Sequence, residues 1–192
     1  MAAIVMASTA AVTVVIAGML TPGYDPVART ISRLASPGMP YAGAVGLAIV
    51  LVALSCIALA AALTYQSIRL RAALVVAAGA LLVAAAIHLD PASATATAIH
   101  RLASAVAALS LAVSPALMRR PYPRFSVIVG AIEAALLVAA PFLLATPFNA
   151  WGAWERALLA LALAWLVVVA ATMRSAEDTV SATSAALSST GS

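Results

Sequence analysis

Apolar residues fall along this chain in six long, nearly unbroken runs separated by short polar stretches. The runs are Ala3–Leu20, Tyr41–Tyr65, Ala72–Leu89, Ile99–Met118, Phe125–Ala145 and Trp154–Met173. Each is close to the roughly 20 residues a helix needs to cross the hydrocarbon core of a bilayer. None alternates as a membrane β-strand does, and lipid admits only backbone that satisfies its own hydrogen bonds, so helices are predicted. Alanine, glycine and serine recur in every run, which lets helix backbones approach closely. The pattern predicts an all-α, polytopic bundle of six transmembrane helices over residues 1–174. From Ser175 to Ser192 the apolar period stops, and a Ser-, Thr- and Ala-rich composition predicts a disordered polar tail.

Composition narrows the class without naming a function. Of the 192 residues, 65% are hydrophobic and 8% charged, with a mean hydropathy of +1.12. Soluble domains carry about 25% charged residues, so a soluble protein is excluded. Six spans take about 120 residues, and the remainder is too short for a separate soluble enzyme domain. The first run lacks a preceding arginine and exceeds the usual length of a signal-peptide core, so a retained first helix is expected.

Charge bears on orientation. All ten basic residues are arginine, scattered over the connections, so the pI near 10 implies no nucleic-acid partner. With both termini cytoplasmic, the inner side holds Arg69, Arg71, Arg119, Arg120, Arg124 and Arg174. The outer side then holds Arg29, Arg33, Arg101 and Arg156, and six against four favours this arrangement in the cell membrane. The outer connections would then gather nearly everything else that is polar. Cys56 stands alone inside an apolar run and reads as a small packing residue.

The first outer connection, residues 21–40, has its own punctuation. Pro22-Gly23 predicts a turn, Asp25 an N-cap and Pro26 a first helical residue. Val27, Ile31 and Leu34 fall at i, i+4 and i+7, opposite Arg29 and Arg33, and Pro37-Gly38 closes the segment. This predicts a short amphipathic outer helix that caps the bundle, with Arg29 or Arg33 as candidates to hold a lipid phosphate.

The segment Pro22-Gly23-Tyr24-Asp25-Pro26, the Thr30-Ile31-Ser32 step and the Ser36-Pro37-Gly38-Met39-Pro40 entry into the second run resemble a bacterial membrane-protein family catalogued as domain of unknown function 998. The resemblance extends to Asp90-Pro91, to His100 and to the six-helix layout, covering roughly residues 1–174. It implies the fold and brings no activity. In the family pattern an acidic residue often follows the Ile-Ser step; Arg33 departs from it, which weakens any role carried over to that position.

The second outer connection repeats the capping device, with Asp90 as N-cap and Pro91 as a first helical residue. Ser93, Thr97, His100, Arg101 and Ser104 then form one polar stripe that should face the bundle interior. His88, Asp90 and His100 are candidate metal ligands, with Asp25 or Glu155 as a further oxygen donor, and such a site could activate water for hydrolysis. The two histidines could alternatively be axial ligands of a haem, or simply hydrogen-bond the loops and Asp90. The spacing is diagnostic of none, so the cofactor is unknown.

Glu133 falls near the middle of the fifth run, where an ionised carboxylate is costly. It should point inward, with Ser55, Ser110 or Thr13 as partners, acting either as an interhelical clamp or as a proton relay. In the last outer connection Trp151 and Trp154 suit a membrane boundary, and Glu155 and Arg156 open the final helix, with Arg156 able to pair with Asp90 or Asp25. Asp25, Arg29, His88, Asp90, His100, Arg101, Glu155 and Arg156 are thus the expected polar cluster, ligand-binding or structural. No catalytic residue is identified. A non-enzymatic accessory or lipid-contacting bundle accounts for these residues best. A small-solute or proton-coupled carrier using Glu133 and a metal-dependent membrane hydrolase follow. The expected partners are the bilayer, with a lipid head group or another membrane protein in addition.

Overall fold

A computed structural model describes the backbone at residues 1–118 and 123–189, and side chains at 1–118 and 124–175. The described residues form helices and no strands: α1 (Ala2–Leu20), α2 (Ile31–Leu34), α3 (Ala42–Ala62), α4 (Ile68–Ala86), α5 (Ala94–Leu117), α6 (Pro123–Leu144) and α7 (Trp151–Ser189). All except the one-turn α2 are long and apolar enough to cross a membrane. The chain is therefore a multi-pass membrane protein built as a six-helix bundle. Its backbone stays helical through Ser189, into the stretch where the sequence predicts a tail without order. Alanine's high helix propensity and the absence of Gly or Pro from residue 153 to Ser189 favour that continuation. Arg119 and Arg120, expected as topological anchors, lie outside the described residues.

The helices close into a ring: α1 packs on α3 and α7, α3 on α4, α4 on α5, α5 on α6, and α6 on α7. The buried positions of α1 are all alanine (Ala3, Ala7, Ala10 and Ala17), at spacings that keep them on one face. With no side chain beyond Cβ in the way, α1 lies close against α3. Lower in the bundle the core is larger: Leu59, Leu70, Leu74, Trp165, Leu166 and Val169 are buried together with Cys56. Trp165 Nε1 donates to Ser126 Oγ at 3.0 Å, tying α7 to α6 in a region with no water to offer an alternative. At the end where the chain enters α4, Arg71 Nε donates to the Ala60 carbonyl at 3.0 Å, satisfying an orphan acceptor near the end of α3.

The connections 21–30, 35–41, 87–93 and 145–150 gather at the opposite, polar end. Both predicted Pro-Gly turns form, with Gly23 at φ 68° and Gly38 at φ 85°. The amphipathic helix is shorter than its periodicity predicts. Asp25 Oδ1 accepts from Val27 N at 2.8 Å, capping a turn, and Thr30 is extended (φ −68°, ψ 157°) before the helix begins at Ile31. Ile31 and Leu34 are buried but Val27 is 54% exposed, because the chain between them bends to present its carbonyls to α7. A similar revision applies before α5. Asp90 Oδ1 caps a turn at Ala92 N (2.8 Å), and Ser93 caps the helix by accepting from Ala96 N at 3.2 Å, so α5 starts at Ala94 and not at Pro91.

Candidate functional site

Two features occupy the polar end: a hydrogen-bonded clamp between the first connection and α7, and a cavity beneath it. The clamp is built from Tyr24, Gly152, Glu155 and Arg156. Arg156 sits one turn into α7, and its guanidinium donates to the carbonyls of Pro26 (2.7 Å), Arg29 (3.0 Å) and Gly152 (3.0 Å). It also donates to the Tyr24 hydroxyl at 2.6 Å, with its carbon 5.5 Å from the Tyr24 ring centre. Tyr24 Oη in turn donates to the Arg29 and Thr30 carbonyls, both at 2.9 Å. Burial raises the Tyr24 hydroxyl pKa above its ordinary value, against the opposing pull of Arg156, so it stays protonated and able to donate.

Glu155 completes the clamp. Its carboxylate accepts from Ile31 N and, at 3.4 Å, from Ser32 Oγ, occupying the backbone donor that opens α2. Ala153 N donates to the Val27 carbonyl at 2.9 Å. Such close backbone approach requires Gly152, where a Cβ would fall on the carbonyls of Arg29 and Pro26, the latter at 2.5 Å.

Beneath the clamp lies a cavity of about 620 Å³ among α1, α3, α4, α5, α6 and α7, within the range of small-molecule sites. Its wall is alanine, valine and leucine. Its polar lining is limited to Ser32, His100, Ser104, Glu133, Trp154, Glu155 and Arg156. His100 lies six residues into α5, about 9 Å below its start, and Glu133 eleven residues below the end of α6, about 16 Å deep. The cavity thus runs from the polar end to near the middle of the bundle. His100 is 2% and Glu133 1% exposed. His100 Nδ1 lies 3.0 Å from the Ala84 carbonyl and 2.8 Å from the Ile87 carbonyl. Among the described residues, His100 Nε2, Glu133 Oε2 and Trp154 Nε1 are buried without a hydrogen-bond partner.

A second space of about 450 Å³ forms a vestibule lined by Ala28, Thr30, Arg33, Leu89, Arg101 and Trp151, among others. It shares Ser32, His100 and Ser104 with the inner cavity, so the two meet at those side chains. Trp151 stacks edge-on against Phe148 (5.1 Å) and Trp154 (5.8 Å), an aromatic chain from the vestibule to the cavity wall.

The residues expected as one polar cluster divide. His100, Glu155 and Arg156 line the cavity, joined from below by Glu133, while Arg101 reaches only the vestibule. Asp25 and Asp90 cap turns, and Arg29 contributes its carbonyl to the clamp while its side chain is exposed. Arg156 pairs with neither aspartate, because three carbonyls and a phenol converge on its planar fork. His88 faces the α3 backbone, its Nε2 3.8 Å from where a Cβ on Gly46 would stand, and it lines neither space. The two histidines therefore do not share a cavity, as a metal or haem pair would require. Among the described residues no three His, Cys, Asp or Glu side chains gather closely enough to hold a metal ion.

Glu133 points inward as expected, but the hydroxyls expected to meet it do not. Ser55 donates to the Ala3 carbonyl at 2.9 Å and Thr13 to the Thr9 carbonyl at 2.8 Å, and Glu133 Oε2 is left without a hydrogen-bond partner. Ser104 lines the cavity as the polar stripe predicts, whereas Tyr24, Gly152, Ser32 and Trp154 join the clamp or the cavity wall without a sequence expectation that places them there. The one available signal was the dense run Trp151-Gly152-Ala153-Trp154-Glu155-Arg156, whose small residues invite backbone contact.

No curated protein and no solved structure matches the chain. The family described as "Protein of unknown function (DUF998)" matches residues 3–172, from the first turn of α1 to the membrane-spanning part of α7. With nearly the whole bundle inside that match, the chain belongs to the DUF998 family.

Proposed function

We propose that this protein is a non-enzymatic, lipid-contacting bundle that shelters the apolar chain of an amphiphile and holds its anionic head at the vestibule. The observation that carries this reading is the junction of the two spaces at Ser32, His100 and Ser104. The inner space has walls of alanine, valine and leucine, suited to a hydrocarbon chain. The outer one is lined by both Arg33 and Arg101, two cations suited to an anionic head group. We place the protein in the cell membrane with both termini cytoplasmic, which the excess of arginine on the terminal side supports.

The test is gentle purification of the full chain followed by native mass spectrometry. Wild type should carry a lipid adduct. Ala108→Leu combined with Ala140→Leu, which fills the cavity from α5 and α6, should lose that adduct while melting no lower than wild type. A folded wild type without lipid, or a filled variant that keeps it, would sink the proposal.

A second reading, a proton-coupled carrier, is favoured by one observation, the unpartnered Glu133 carboxyl at the foot of the cavity. It expects Glu133→Gln to abolish pH-driven flux in proteoliposomes with folding intact. Flux that survives the substitution would exclude the relay.

A further inference from the structure

His100 is the polar side chain best placed to read a ligand, and its chemistry is constrained by its neighbours. Its Nδ1 faces two backbone carbonyls, those of Ala84 and Ile87, at 3.0 and 2.8 Å. Carbonyl oxygens only accept, so Nδ1 carries the proton and donates to both. In the neutral imidazole the remaining nitrogen, Nε2, then presents a lone pair. That atom is buried without a partner and belongs to a residue lining both the vestibule and the inner cavity. A buried acceptor without a donor costs free energy comparable to a lost hydrogen bond. A ligand that brings a hydrogen-bond donor such as an O–H into the junction would satisfy it.

The place of the junction says where on the ligand that group sits. Arg33 and Arg101 line the vestibule and not the inner cavity, whose wall is mostly apolar, and His100 lines both. A head group held by the arginines would put the next few atoms of the molecule at His100. Resting on the amphiphile reading above, we infer that the ligand is a single-chain anionic amphiphile with a free hydroxyl adjacent to its phosphate, and that His100 Nε2 accepts the hydrogen bond from that hydroxyl. A simple fatty acid or alkyl phosphate lacks the donor. A diacyl phospholipid has esterified it and brings a second chain.

Three probes of equal chain length separate the possibilities in the full-length protein in nanodiscs: a 1-acyl lysophosphatidate, its 2-O-methyl ether, and the plain alkyl phosphate. The lysophosphatidate should bind about tenfold more tightly than the other two, the size expected for one buried hydrogen bond. In His100→Met, which keeps an unbranched apolar side chain, the three affinities should converge. Equal affinity of all three for wild type overturns the hydroxyl assignment and leaves the amphiphile reading standing. Binding of none overturns both. A preference that persists in folded His100→Met overturns the role of His100. If that variant does not fold, the wild-type comparison of hydroxyl with methyl ether still decides, because it changes only the ligand.

Discussion

Gly152→Ala should lower the unfolding temperature of the detergent-solubilised protein more than alanine at any other described glycine. The added carbon would occupy the space of the Arg29 and Pro26 carbonyls, and both belong to backbone that cannot swing aside as a side chain can. The first connection and α7 would have to separate, which also strains the Ala153 N to Val27 carbonyl hydrogen bond. A cost of about 3 kcal/mol, the upper end for overpacking, is expected. Ala substitution at Gly43, where a Cβ meets nothing within 4 Å, is the control and should change little. A Gly152→Ala protein that melts with wild type would mean the close docking of α7 is absent in solution.

Removing the Arg156 guanidinium is the second large effect. Arg156→Met keeps the apolar stem but leaves the Pro26, Arg29 and Gly152 carbonyls and the Tyr24 hydroxyl without their shared donor. Hydrogen bonds to a charged group contribute about 1.5–3 kcal/mol, but these carbonyls are partly open to water, so about 2 kcal/mol is expected. Tyr24→Phe should cost less. The double variant should fall short of the sum, since each partner's role depends on the other. Strict additivity in that cycle would show that the two residues do not act as a unit. The pH dependence follows from the raised Tyr24 pKa: the neutral phenol stabilises the fold throughout the range below the ordinary tyrosine value of about 10. That contribution is lost only as the pH climbs through the raised value, so melting between pH 7 and 9 should show no step from Tyr24.

What the sequence conveys about this protein depends on how local the cause is. The six spans are legible because burial in lipid is decided by composition over about 20 residues, and no distant contact can override it. Glu133 is legible as buried for the same reason. Its surroundings are not, because Ser and Thr in a helix can satisfy themselves at a carbonyl of their own turn, as Thr13 does at Thr9. The starts of α2 and α5 lie a few residues beyond where the sequence predicts them, because two capping positions compete at each. Asp90 is a good cap, but Ser93 stands closer to the first helical turn and takes the role. The clamp was invisible for a different reason. Arg156 binds backbone carbonyls, and a carbonyl has no side-chain identity to be recognised along the chain.

The cavity's depth has a consequence for traffic across the membrane. It opens at the polar end, reaches Glu133 near mid-bundle, and is followed there by a packed core in which Trp165 is bonded to Ser126. On the amphiphile reading proposed above, a molecule that enters would meet that packed core as a dead end, and the bundle would then be a receptacle for one leaflet. If that reading holds, occupancy of the cavity would follow the composition of a single leaflet, with nothing moved across.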